Sequence, residues 1–432
     1  MSELFFWFRR DLRLTDNHGL FQALRSGKSV RPVFIFDPEI LDKLSNKRDA
    51  RVSFIYEQLK TMQKSITEHG GNLEVYYGKP TTIWSALLQN HNVDGIYSNE
   101  DYEPYAIKRD QEIAHLCKEQ NKEFRQFKDQ VIFAKDEVVK DDGSPYTVYT
   151  PYMKKWKKHL IEHPIQQFPS EEHLDHFCSN SSPKKVTLEE MGFSAPSMSF
   201  PEKSITQGRI SAYETKRDIP SIIGTSRLSV HFRFGTISIR EKFLKGVRLS
   251  EKWINELIWR DFYMQILYHF PHVVNGSFRK VYDQIPWRND TEDFERWKSG
   301  TTGYPMVDAG MRELNQTGFM HNRVRMVVAS FLTKHLLIDW RWGEAYFAEK
   351  LLDFELASNN GGWQWAAGSG VDAAPYFRVF NPESQQKKFD PEFEYIKQWV
   401  PEFGTANYPE PIVEHSFARK RCLETYQSVL KP

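Results

Sequence analysis

Leu4-Phe5-Phe6-Trp7-Phe8, closed by Arg9-Arg10, is the stretch on which the fold turns. Five consecutive apolar residues leave no polar face, so they read as a strand covered on both sides, as at the centre of a parallel sheet. The run is too short for a signal-peptide core or a membrane span. Working outward, Val33–Phe36, Leu73–Tyr77, Gly95–Ser98 and Phe124–Phe127 are further short apolar runs. Segments near 17–26, 51–69, 80–91 and 104–120 carry helical spacing between them. Such alternation predicts an α/β domain over residues 1–130, a doubly wound parallel five-stranded sheet. No GxGxxG fingerprint follows the first strand, so dinucleotide binding by this domain has no support.

Residues 131–204 are expected to form an interdomain linker. From about 165 the chain is polar and punctuated by Pro164, Pro169, Pro183, Pro196 and Pro201, with Ser179-Asn180-Ser181-Ser182 among them. Residues 205–432 turn helical, with Ile254, Leu257, Ile258 and Phe262, then Val324, Val327, Val328, Phe331 and Leu332, at helical spacing. An all-α second domain is predicted there.

The 432 residues carry a net charge of +1 and 12 Trp. Near-neutrality argues at first sight against nucleic acid. The average hides a segment, 201–250, with 10 basic and 4 acidic residues. Phosphate contact needs only a few well-placed arginines. The three cysteines, Cys117, Cys178 and Cys422, cannot form a disulfide framework, which suits a reducing, cytoplasmic setting. The histidines are read as carrying no metal cluster, so no metal is expected. Neither a GxSxG elbow nor a P-loop supports hydrolase or NTPase chemistry.

Four segments carry candidate chemistry, each with a plainer reading beside it. Gly224-Thr225-Ser226-Arg227-Leu228-Ser229 offers hydroxyls and backbone N–H groups to a phosphate, or is a helix cap. Glu256, Trp259 and Arg260 share a helix face suited to a flat hydrogen-bonding ligand, or are core tryptophan beside a solvated ion pair. His321-Asn322-Arg323-Val324-Arg325-Met326 either holds anions or is a capped basic helix start. Asp353–Trp365, with its consecutive Asn359-Asn360-Gly361-Gly362, reads as a tight backbone passage lining a ligand rather than a plain turn.

Together these segments resemble the photolyase/cryptochrome flavoprotein family, most closely the class I cyclobutane-pyrimidine-dimer DNA photolyases. The resemblance spans essentially the whole chain, from Trp7-Phe8-Arg9-Arg10-Asp11-Leu12-Arg13-Leu14 through Gly303-Tyr304-Pro305 to Tyr376-Phe377-Arg378-Val379-Phe380-Asn381-Pro382. It implies a light-driven DNA repair enzyme: reduced FAD passes an electron to a flipped-out pyrimidine dimer, which splits to monomers. UV-damaged DNA is the implied partner, and a monomer with no obligate protein partner is expected. A second antenna chromophore, a folate, a deazaflavin or a flavin, is implied in the first domain, where Asn99-Glu100-Asp101-Tyr102-Glu103 is a weak folate match.

By that resemblance, Tyr213, Thr225, Ser226, Arg227, Leu228 and Ser229 line the cofactor's phosphate and ribityl side. Arg325 and Asp353 match an ion pair beside the isoalloxazine, and Asn359 the residue facing flavin N5. Arg260 and Glu355 also belong to the cofactor site, although Glu355 replaces the family's usual Asp. Glu256 matches the carboxyl group that hydrogen-bonds the pyrimidine edge. Trp259, Trp365, Asn322 and Met326 match the wall around the dimer, and Arg217, Arg323 and Arg378 the phosphate clamps, with Lys216 a weaker candidate. Trp363, Trp340 and Trp287 match a tryptophan electron chain. Met326 stands where (6-4) photolyases carry a histidine, which disfavours that rival. A signalling cryptochrome would be expected to carry a C-terminal extension beyond the Phe380-Asn381-Pro382 motif.

Overall fold

The computed structural model describes residues 3–179, 184–196 and 198–430, so Asn180, Ser181, Ser182 and Pro183 of the proline-punctuated stretch lie outside the described residues. The chain divides into two compact units. The first comprises Met1–Glu137, Trp156–Ser204 and Arg227–Arg248; the second comprises Val138–Lys155, Ile205–Ser226 and Leu249–Pro432. The stretch 131–204 is thus shared between them.

The first unit is built on five parallel strands: β1 (Glu3–Phe8), β2 (Ser29–Phe36), β3 (Glu74–Tyr77), β4 (Val93–Asn99) and β5 (Glu123–Phe127). They lie in the order β3-β2-β1-β4-β5. The intervening helices are α1 (His18–Leu24), α2 (Ala50–Glu68), α3 (Pro80–Asn90) and α4 (Pro104–Glu119). Strand β1 is central and buried from Leu4 to Phe8, which is why its sequence has no polar face. Pro32 is tolerated in β2 because β3 joins β2 only from Val33 onward. Edge strand β5 is polar and largely exposed, which discourages pairing with a further strand. The charged residues after β1 turn inward. Arg9 pairs with Asp110, Asp11 accepts from the Asn99 amide at 2.6 Å, and Arg13 reaches Asp129 at 2.7 Å. Arg240 meets Asp129 from the other side at 2.8 Å. Burial would raise the Asp129 carboxyl, but Arg13 and Arg240 hold it down at about 2.

The second unit contains no strand among the described residues. Its main helices are α5 (Glu251–His269), α6 (Pro305–Thr317), α7 (Asn322–Ser330), α8 (Trp340–Lys350), α9 (Leu356–Ala367) and α10 (His415–Leu430). Ser250, His321 and Asp339 cap α5, α7 and α8 through their side chains. A core including Val307, Leu314, Val324, Val328, Leu332, Trp340 and Trp363 holds α6 to α9 together, while Cys422 and Tyr426 of α10 pack with Tyr282 and Leu337. No described helix is long and apolar enough to cross a membrane. All three cysteines are buried free thiols.

Candidate cofactor and DNA site

Helix α5 carries Glu256, Trp259 and Arg260 as the i, i+3, i+4 spacing requires, but Glu256 and Arg260 do not pair with each other. Arg260 Nη2 donates to Glu355 Oε1 at 2.8 Å, while Arg217 Nη1 donates to Glu256. Burial pushes the Glu256 carboxyl up, and Arg217 pulls it back only in part. Trp259 is stacked on Tyr149, with centroids 3.6 Å apart and planes 4° from parallel. The Tyr149 hydroxyl donates to the Asn255 carbonyl at 3.0 Å, so Tyr149 grips both the ring and the backbone of that turn.

Helix α7 separates its two arginines. Arg323 Nη2 donates to Asp218 at 2.8 Å, and its guanidinium lies 4.3 Å from the Phe389 ring centre. Arg325 donates to Asp353 at 3.0 Å and to the Met320 carbonyl at 2.8 Å. Asn322 is exposed and Met326 half-buried.

The Asn359–Gly362 stretch corrects the sequence reading. It is not a loop passage but the middle of helix α9. Packing overrides the poor helix propensity of Asn and Gly. A Cβ on Gly361 would fall 2.3 Å from the Tyr263 ring, so glycine allows α9 to close on α5. Asn360 and Gln364 both donate to the Val273 carbonyl, at 2.9 and 3.0 Å. Asn359 donates to the Glu344 backbone oxygen and carboxyl, at 3.1 and 3.0 Å.

Trp363 and Trp340 are buried in one core with Trp287 packed against it. A Cβ on Gly343 would lie 2.1 Å from Trp363 Cη2, so α8 passes the indole at a distance only glycine permits. The Trp340 and Trp287 indole nitrogens are buried without a hydrogen-bond partner among the described residues. Trp365 is half-buried near Phe380, and Arg378 is exposed, its carbonyl accepting from the buried Lys334 at 2.8 Å.

Tyr213 is buried, with the Arg217 guanidinium 5.2 Å from its ring centre. Thr225 and Ser226 are half-buried. In the first unit, Arg227 adopts a left-handed backbone at φ 52°, Leu228 is buried and Ser229 begins a five-residue helix. Leu228, not a hydroxyl residue, occupies the cap position there, and no side chain caps it.

One grouping departs from the expectation that the histidines carry no metal cluster. Ligand atoms of His159, Glu162 and His163 lie within 4.8 Å of one another. The expectation that the histidines show no HxxxH pattern is wrong: His159-Leu160-Ile161-Glu162-His163 is one. Glu162 and His163 are exposed.

A FAD cofactor fits the donor set of the helical unit. Asn359 spends its amide protons on Glu344, which leaves its carbonyl oxygen as an acceptor. The Arg325–Asp353 pair puts a half-exposed cation beside a buried carboxylate. Sequence reading missed Tyr149, Asp218 and Glu344: Tyr149 comes from a distant segment to Trp259, Asp218 from beside Arg217 to Arg323, and Glu344 from the preceding helix to Asn359.

An α/β unit together with a helical unit of such a donor set is the architecture of a flavin-binding enzyme class, and similarity to known proteins says which. A family model described as DNA photolyase matches residues 4–171, and one described as the FAD binding domain of DNA photolyase matches residues 253–406. A deoxyribodipyrimidine photo-lyase of Synechococcus is 36% identical, covering 99% of this chain and 97% of that protein. A bacterial class III photolyase structure from Agrobacterium tumefaciens superposes with a TM-score of 0.88 at 31% identity, covering 100% of this chain and 98% of that one. An archaeal photolyase from Sulfolobus tokodaii, solved with two FAD molecules, gives 0.84 at 35% identity, covering 99% and 100%. The chain belongs to the DNA photolyase family.

Proposed function

We propose that this chain repairs cyclobutane pyrimidine dimers in UV-damaged DNA under light, with the lesion seated between Glu256 and Trp259. The observation that carries this reading is their arrangement: a half-buried carboxyl one helical turn from an indole whose other face is already taken by Tyr149. A crosslinked pyrimidine pair stacks poorly in a duplex and is extruded more cheaply than a normal base. Trp259 and Trp365 supply flat apolar surface for it, and Met326 and Asn322 complete the wall. Glu256, largely buried and paired with Arg217, can hydrogen-bond the pyrimidine edge. Arg217, Arg323 and Arg378 contact the flanking phosphates.

FAD supplies, when bound and reduced, the light absorption and the electron that splits the dimer. Tyr213, Thr225 and Ser226 hold its phosphate side. Arg325, Asp353, Arg260 and Glu355 fix the charge around the ring system, and Asn359 offers its carbonyl oxygen to a ring N–H. Trp363, Trp340 and Trp287 form an electron path to the surface. A second chromophore in the first unit serves as antenna. Purified protein carrying reduced FAD should remove thymine dimers from an oligonucleotide under blue light and not in the dark. Bound FAD with no light-dependent loss of dimers would refute the reading.

A further inference from the structure

Four charged side chains of the second unit form an alternating row: Glu256, Arg217, Asp218, Arg323. Arg217 Nη1 pairs with Glu256, and its Nε lies 4.0 Å from Asp218 Oδ1. The same oxygen accepts from Arg323 Nη2 at 2.8 Å. Arg323 is further fixed by Phe389 beneath its guanidinium and by Met326 Sδ 3.7 Å from Nη1. Three of these four residues have a part in the function proposed above. Asp218, with 41% of its side chain exposed, has none.

The row is neutral, so neither arginine stands ready as a free cation. A DNA phosphate arriving at Arg217 or Arg323 competes with the carboxylates of Glu256 and Asp218. Undamaged duplex offers only phosphates, and its gain at the arginines is largely an exchange of one anion for another. A flipped lesion offers more, because its pyrimidine edge carries an N–H donor for Glu256. Shared between that donor and Arg217, the Glu256 carboxylate would hold Arg217 less tightly and leave it more available to a phosphate.

We propose that Asp218 is a specificity-determining residue, which restrains Arg217 and Arg323 against undamaged DNA at a cost that a lesion seated at Glu256 outweighs. This rests on Glu256, Arg217 and Arg323 contacting DNA as proposed above. Discrimination of this kind comes from penalising the wrong partner rather than from improving the right one.

The test uses the FAD-loaded full chain in the dark, with an undamaged duplex and the same duplex carrying one thymine dimer as probes, each titrated at several salt concentrations. Asp218→Asn should tighten binding to undamaged duplex about fivefold, the scale of one partly exposed charge pair. The logarithmic salt dependence of that binding should steepen by about one unit, as for one added phosphate contact. Binding to the lesion duplex should tighten less, so the ratio of the two affinities falls. Asp218→Glu, which keeps the charge, should retain the wild-type ratio. Equal tightening on both probes, or weaker binding to both, would overturn the proposal. Arg323→Ala tests the underlying assignment separately: unchanged binding to both probes would refute Arg323 as a phosphate contact, whatever Asp218→Asn does.

Discussion

The side-chain amide of Asn359 on α9 donates both its protons to Glu344 on α8, at 3.1 Å to the backbone oxygen and 3.0 Å to Oε1. The amide therefore cannot flip without losing two hydrogen bonds, and its carbonyl oxygen has a fixed direction. Burial pushes the Glu344 carboxyl above its usual range, and the Asn359 hydrogen bond offsets this in part. Replacing Glu344 by Leu should remove one of the two bonds and loosen Asn359. With Asn359 beside the flavin as proposed, reduced cofactor should then reoxidise in air several times faster. Flavin absorbance after photoreduction checks this; an unchanged rate would separate Glu344 from the cofactor.

Tyr149 backs the indole of Trp259 at 3.6 Å. Tyr149→Phe keeps the stack and loses the hydroxyl bond to Asn255, whereas Tyr149→Leu loses both. An aromatic pair contributes about 1 kcal/mol beyond its buried area. Lesion affinity should therefore fall about fivefold for Tyr149→Leu and much less for Tyr149→Phe, measured by titration with a thymine-dimer duplex. Equal losses would assign the effect to the hydroxyl instead.

Trp363 is buried against Gly343, Phe347 and Trp297. Trp363→Phe should abolish light-driven reduction of oxidised flavin while chemically reduced protein still repairs dimers. Photoreduction at the wild-type rate would exclude Trp363 from the electron path.

Asp129 sits between Arg13 and Arg240 with its carboxyl held at about 2. A folded-state value below the unfolded one stabilises the protein above the ordinary carboxylate range, and that contribution is lost as pH falls from about 4 to about 2. Its size is about 2 to 3 kcal/mol. Asp129→Asn should lower stability at pH 6 and flatten the decline between pH 4 and pH 2, read by urea unfolding. The same decline in the variant would show that other carboxylates cause it.

The sheet was legible because parallel strands covered on both faces leave uninterrupted apolar runs such as Leu4–Phe8. The helical pattern around Ile254 and Val324 was legible for the same reason of burial. Asn359–Gly362 was not, because its residues favour loops and only Tyr263 and the Val273 carbonyl make a helix of them. Trp259 was legible as a candidate, but its backing by Tyr149, 110 positions earlier in the chain, depends on folding alone. Asp218 carries no sequence signal, because its place between Arg217 and Arg323 depends on a contact 105 positions away.

The most direct test is the repair yield per absorbed photon of Glu256→Ala, carrying reduced FAD and saturated with a thymine-dimer oligonucleotide. A clear drop below wild type, with FAD still bound, is expected if Glu256 hydrogen-bonds the dimer as it splits. An unchanged yield would contradict the placement of the lesion at Glu256 and Trp259.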